Sequence, residues 1–170
     1  MKHLPESADI RLLAAQGWLE LGNHLEADKE LDEIAPQLRA HPDVLELRWE
    51  IHARGKKWDA CVDIAEALIK LRPDHPNGWI QRSFALHGLR RTQEAFDKLL
   101  PAMHKFPRIW KIPYNLSCYC AQLQRVEECE AWFKKAMAID EHTVKRAAID
   151  DPDLKPLWDS MSGTIWKRSR

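Results

Sequence analysis

The sequence predicts an all-α fold: four similar two-helix units followed by capping helices. Leu, Ala, Glu, Lys and Arg dominate the 170 residues, glycine numbers only six, and β-branched residues do not lead, which favours helix throughout. A small residue sits in the middle of successive apolar runs at Ala27, Cys61, Ala95 and Cys129, each 34 residues after the last. Other registers keep the same spacing: Leu31, Ala65, Leu99 and Phe133, then Ile34, Leu68, Ala102 and Ala136, and upstream Ala15, Trp49, Ser83 and Ser117.

Within each unit the apolar period is helical. Ala95, Phe96, Leu99, Leu100 and Met103 make one stripe, and Val126, Cys129, Phe133, Ala136 and Met137 make another. Each unit therefore reads as two helices of about 12–15 residues joined by a polar turn. The turns fall near Gly22-Asn23, Gly55-Lys56, Leu89-Arg90 and Gln124-Arg125. Pro42 and Pro76 each follow a histidine and suit the first turn of a new helix, where the missing N–H costs nothing. Pro36 and Pro101 fall inside second helices and should bend or shorten them. The repeated small residue marks the place where the two helices cross, since a large side chain there would hold the backbones apart.

A 34-residue helix–turn–helix unit of this kind resembles the tetratricopeptide repeat. Trp79, Ser83, Leu86, Ala95, Leu99, Ala102 and Pro107 occupy that family's signature positions, as do Tyr114-Asn115-Leu116-Ser117, Cys129, Phe133 and Ala136. The first two units are more degenerate: Arg11 replaces a large apolar residue and Trp49 stands where a small one is normal. The resemblance covers residues 8–143, divided as 8–41, 42–75, 76–109 and 110–143. It implies a right-handed superhelix whose first helices line a concave groove. Residues 1–7 read as a tail.

Residues 144–170 break the repeat. Asp151-Pro152-Asp153 looks like a helix start with Asp151 as N-cap, and Leu154, Leu157, Trp158 and Met161 form one apolar face that would cover the end of the stack. This ending resembles small stand-alone bacterial repeat proteins.

Composition excludes several functions. Lys plus Arg (26) equal Asp plus Glu (26), so no basic footprint for nucleic acid is expected, and the run Lys167-Arg168-Ser169-Arg170 reads as a solvated tail. No apolar stretch reaches the roughly 20 residues needed to span a bilayer, and the start lacks a signal-peptide core. A cytoplasmic location follows as the expectation. Four cysteines are too few for a disulfide framework. Neither a phosphate-binding glycine loop nor His-Glu-x-x-His occurs, so no cofactor or metal site is expected. Cys118-x-Cys120 is no metal clip, because residues two apart point to different sides of a helix; Cys120 is placed in the core and Cys118 on the open face. His87 and Cys118 fall on neighbouring first helices, yet a catalytic pair needs an orienting group and an oxyanion hole that the sequence does not offer. No enzyme activity is expected. Most tryptophans, Trp18, Trp49, Trp58, Trp79 and Trp132 among them, are assigned to packing positions, and Trp166 alone to an exposed one.

The family geometry implies which residues face the groove. Unit one offers Asp9, Leu12, Leu13, Gln16 and Glu20; unit two offers Asp43, Glu46, Leu47, Glu50 and Arg54. Unit three offers Ile80, Gln81, Phe84 and His87; unit four offers Lys111, Tyr114, Asn115, Cys118 and Gln122. The first half carries five carboxylates against one arginine, and the second is neutral to weakly basic with Phe84, Tyr114 and Ile80. Some tetratricopeptide repeats clamp the carboxylates of chaperone tails with Lys and Asn. Lys111 and Asn115 resemble part of that clamp, but the acids of units one and two oppose it. The expected function is a protein-interaction scaffold holding a peptide, basic at one end and apolar at the other, in the groove. The alternatives are a repeat protein that pairs with itself through its apolar N-terminal helix, and an enzyme or regulatory subunit that binds a small ligand there.

Overall fold

Histidine and proline set the helix starts in the middle of the chain. Pro42 and Pro76 stand at the first positions of their helices. The preceding histidines supply caps: the Asp43 and Asn77 amides donate to His41 Nδ1 and His75 Nδ1, each at 3.4 Å. The computed structural model describes residues 3–160; Met161, Trp166 and the basic run 167–170 lie outside them. In chain order the helices are α1 (Glu6–Glu20), α2 (His24–Asp32), α3 (Pro42–Arg54), α4 (Trp58–Leu71), α5 (Pro76–Gly88), α6 (Thr92–Leu99) and α7 (Ala102–Lys105). After these come α8 (Lys111–Gln122), α9 (Val126–Ile139), α10 (Glu141–Ala148) and α11 (Lys155–Ser160). Among the described residues there is no strand.

The two internal prolines act as expected. The second helix of the first repeat stops at Asp32, and Pro36 opens a short 3₁₀ turn, Pro36–Leu38. In the third repeat α6 stops at Leu99, and Pro101 starts the separate one-turn helix α7. Proline removes a helical donor and crowds the preceding turn, so the chain restarts rather than bends.

The turn inside each repeat is built on one left-handed residue. Gly22, Lys56, Arg90 and Gln124 have φ of 81°, 54°, 63° and 60°. They lie 34 residues apart. Around Gly22 the Gly22 and Asn23 amides donate to the Leu19 and Trp18 carbonyls, at 3.0 and 2.9 Å. The same pair of bonds closes the turns at Lys56-Lys57 and Gln124-Arg125, satisfying helix-end carbonyls that would otherwise lack donors. Only the first of these positions is glycine, the residue that adopts this conformation without a Cβ penalty.

The helix-crossing residues are sealed: Ala27, Cys61, Ala95 and Cys129 are all 0% exposed. The other repeated registers are buried with them, apart from Trp49, which is half-buried. The chain forms two compact units, one ending at Gly88 and the other beginning at Leu89, so the division falls between the two helices of the third repeat. In the first unit α1 packs on α2 and α3, α2 on α3, α3 on α4, and α4 on α5. In the second, α8 packs against α6 and α9, and α9 against α10.

At the N-terminus, Leu4 packs partly on the core of the first unit, and the Pro5 carbonyl accepts the Ala8 and Asp9 amides. Ile10, Leu13 and Leu21 stay exposed, and so does Trp18, contrary to its assignment as a packing residue. At the other end, α10 begins earlier than residue 144 because Asp140 caps it, accepting the Thr143 amide at 3.0 Å. Asp151 caps the 3₁₀ turn Pro152–Leu154 through the Asp153 amide at 2.9 Å, and Trp158 meets Phe133 edge-on with ring centres 5.5 Å apart. No described helix is long and apolar enough to cross a membrane.

Candidate binding site

In the first unit the groove positions of α1 and α3 face each other. Leu12 and Leu13 lie one helical turn before Gln16 on α1, and Asp43, the pair Glu46-Leu47 and Glu50 follow at turn spacing on α3. Together they line an open cleft of about 340 Å³. Leu12 and Leu47 form its apolar floor, half-buried against the core of the unit. Gln16 donates to Glu20 at 3.4 Å.

The charge of this cleft differs from the sequence expectation. Arg72, just past the end of α4, bonds Asp43 at 2.8 Å and reaches Glu46 at 3.5 Å. Two of the three acids on α3 are thus already paired, and Glu50 stands as an exposed carboxylate one turn further on. The repeat register could not reveal Arg72, because it comes from a linker outside the groove positions. Arg54 is exposed at the end of α3.

On α5, Ile80, Gln81 and His87 are half-buried, whereas Phe84 is 47% exposed. The Phe84 ring stands edge-on to Trp49 at 6.2 Å and Trp58 at 5.8 Å, the offset geometry that aromatic quadrupoles favour. Trp49 and Trp58 are half-buried beneath it rather than sealed in the core.

A second cluster, which the sequence reading missed, lies between α2 and α3. Asp28 takes His52 Nε2 at 3.3 Å, Lys57 at 3.5 Å and Arg48 at 3.7 Å, and Arg48 also bonds Asp32 at 2.9 Å. Arg48 and His52, spaced i,i+4, take places that are apolar in the fourth repeat, Leu116 and Cys120, while the third repeat carries Arg82 and Leu86 there. Burial pushes the His52 pKa down, and the attraction of Asp28 only partly opposes this.

In the second unit Tyr114 and Cys118 on α8 are not open, which corrects their placement in the groove, whereas Gln122 is exposed but already bonded within the chain. The C-terminal segment crosses this face. Tyr114 Oη donates to Asp151 Oδ2 at 2.6 Å, Cys118 Sγ lies 3.7 Å from the same oxygen, and Gln122 donates to the Asp153 carbonyl at 2.9 Å. Tyr114 and Cys118 are buried as a result. Both have raised pKa values, burial being the larger cause and Asp151 adding to it. A thiol held protonated beside a carboxylate is the opposite of an activated nucleophile. Lys111 remains exposed and Asn115 half-buried. Cys61, Cys120 and Cys129 are buried free thiols with pKa values pushed up to about 11, 12 and 12. Among the described residues no group of three or more His, Cys, Asp or Glu side chains could hold a metal.

No protein-family model matches the sequence, and no curated protein does. Solved structures do match in shape. A thermophilic tetratricopeptide-repeat protein of Thermus thermophilus superposes with a TM-score of 0.73 at 17% identity, over 91% of this chain and 82% of its own. The fold is that of the tetratricopeptide repeat. MamA of Desulfovibrio magneticus RS-1, from residue 41 to its end, matches at 0.71 and 16% identity over 99% of this chain and 100% of that one. MamA of MSR-1 matches at 0.67 and 20% over 80% and 78%. The α1–α3 cleft is carried by the first helices of the first two repeats. Asp151 and Asp153 are what sequence reasoning missed in the fourth repeat. The Asp-Pro-Asp start was legible as a cap, but nothing in its spacing tied it to Tyr114.

Proposed function

We propose that the protein is a cytoplasmic protein-interaction scaffold that holds a peptide segment of a partner in the cleft between α1 and α3. The observation that supports this most is the pairing of an apolar floor, Leu12 and Leu47, with the exposed carboxylate of Glu50 on one open face. Such a face suits a segment that places a branched apolar side chain beside a Lys or Arg. Phe84 extends the apolar surface on α5 of the same unit. Ile80, Gln16, Glu46, Arg54 and His87 would set register and orientation. The cleft is open, and its polar groups do not converge on a point, which favours an extended or helical segment over a small ligand. Tyr114, Cys118 and Gln122 take no part, since the chain's own C-terminal segment occupies them.

The test is fluorescence anisotropy with a labelled peptide carrying two leucines at one end and three lysines at the other. Exposed charges are screened over about 10 Å at 0.1 M salt, so binding should weaken as salt rises. Leu47→Asp and Glu50→Lys should each weaken it by about tenfold or more. Binding indifferent to salt and to both substitutions would overturn the proposal.

A further inference from the structure

The second surface is the outer face of α1, which the groove does not use. Ile10, Ala14, Gly17, Trp18 and Leu21 follow one another at helical spacing. Ile10 is 58% exposed and Leu21 78%. The 34-residue register says what such a face normally meets. The counterparts of Ile10 and Gly17 on the later first helices are Val44 and Ile51 on α3, Gly78 and Ala85 on α5, and Ile112 and Tyr119 on α8. All six are buried. The helix that packs on each of those faces is the second helix of the repeat before: α2 on α3, α4 on α5 and α6 on α8. At Gly78 the approach is close enough that an added Cβ would sit 3.0 Å from Ile69 of α4.

On α1 the same face is built and left uncovered. Gly17 makes the point sharply. A Cβ there would meet nothing within 4 Å, so the chain's own packing does not require glycine. Glycine inside a helix costs about 1 kcal/mol relative to alanine. A residue that weakens its own helix, in the middle of an exposed apolar stripe, is explained by the close approach of another helix.

We infer that the outer face of α1 docks an amphipathic helix of a different protein, seated as a repeat's second helix sits on the next first helix. The occupant's face is apolar and uncharged. Where α3 presents Arg48 and His52 to Asp28 of α2, α1 presents Ala14 and Trp18, which offer an acid no cation. A second copy of this chain is a poor occupant. Its helices α2, α4 and α6 are already packed on α3, α5 and α8, and α9 is covered by α10 and α11. This surface is separate from the α1–α3 cleft and stands or falls independently of it.

The template supplies a probe: a stapled, fluorescently labelled peptide of residues 58–71, the uncharged-faced helix α4, with Cys61→Ala. Titrated against the full chain, it should bind, and Ile10→Asp and Leu21→Asp should each weaken it by about tenfold or more. Both positions are exposed, so circular dichroism should show both variants folded. Glu50→Lys, in the cleft, should leave this binding unchanged. Three results would overturn the inference: no binding at about 1 mM peptide, binding that ignores both stripe variants, or light scattering that finds a dimer dissolved by Ile10→Asp. The last would assign the face to a second copy.

Discussion

Replacing Lys56, Arg90 and Gln124 together with glycine should stabilise the protein. Each holds the left-handed conformation that Gly22 holds in the first repeat. All three are exposed, so removing their side chains takes away no core packing. A non-glycine residue in this region costs about 1–2 kcal/mol. Glycine returns about 0.5–1 kcal/mol of that through the greater freedom of the unfolded chain. The net gain is about 0.5 kcal/mol per site. Sites this far apart in the chain add, giving about 1.5 kcal/mol for the triple variant. For a chain of this size that corresponds to a Tm higher by about 3–6 °C. Thermal unfolding followed by circular dichroism measures it directly. Gly22→Ala should move the midpoint the other way, because it gives the left-handed residue of the first turn a Cβ that strains this backbone conformation. A triple variant with an unchanged or lower Tm would refute the reasoning that one repeated backbone geometry closes all four turns.

Two further perturbations follow from the buried polar contacts. Asp151→Ala removes the partner of the buried Tyr114 hydroxyl and the cap of the Pro152–Leu154 turn, so stability should fall by about 2–3 kcal/mol and the C-terminal segment should become sensitive to protease; an unchanged denaturation midpoint would count against the contact. His52 has a folded pKa below its ordinary value of 6.5, so below that pH the unfolded chain binds more protons than the folded one. Its contribution to stability is therefore complete above about pH 6.5 and is lost as pH falls through the folded pKa. Denaturant midpoints measured as pH falls through His52's ordinary value of 6.5 should decline more steeply in the wild type than in His52→Gln.

The fold was legible in the sequence because its determinants are local and repeated. Ala27, Cys61, Ala95 and Cys129 mark the helix crossings whatever surrounds them, and Pro36 and Pro101 end helices by their own covalent geometry. The histidine caps at His41 and His75 follow the same period, but histidine is an unusual cap and the residue type alone does not announce it. The site was legible only in part. Leu12, Gln16, Glu46, Leu47 and Glu50 share a cleft because helical periodicity and the repeat register together fix which way they face. Arg72, which neutralises two of its acids, comes from a linker where periodicity says nothing. Tyr114 and Cys118 were misplaced for a related reason. Their exposure depends on a non-repeating segment 33 to 37 residues further on, whose path no internal period records. Trp18 stands at a position that is buried in the third and fourth repeats, at Leu86 and Cys120, and half-buried at His52, yet it is exposed on α1, a difference in packing that the residue type does not announce.

The most direct measurement is a titration of the isotopically labelled full chain with the leucine–lysine peptide, read residue by residue from backbone amide chemical shifts. The account predicts saturable shifts at Leu12, Gln16, Leu47 and Glu50, reaching Phe84, with α8 unmoved. Shifts centred on Tyr114, Cys118 and Gln122, or no saturable shift on α1 and α3, would contradict it.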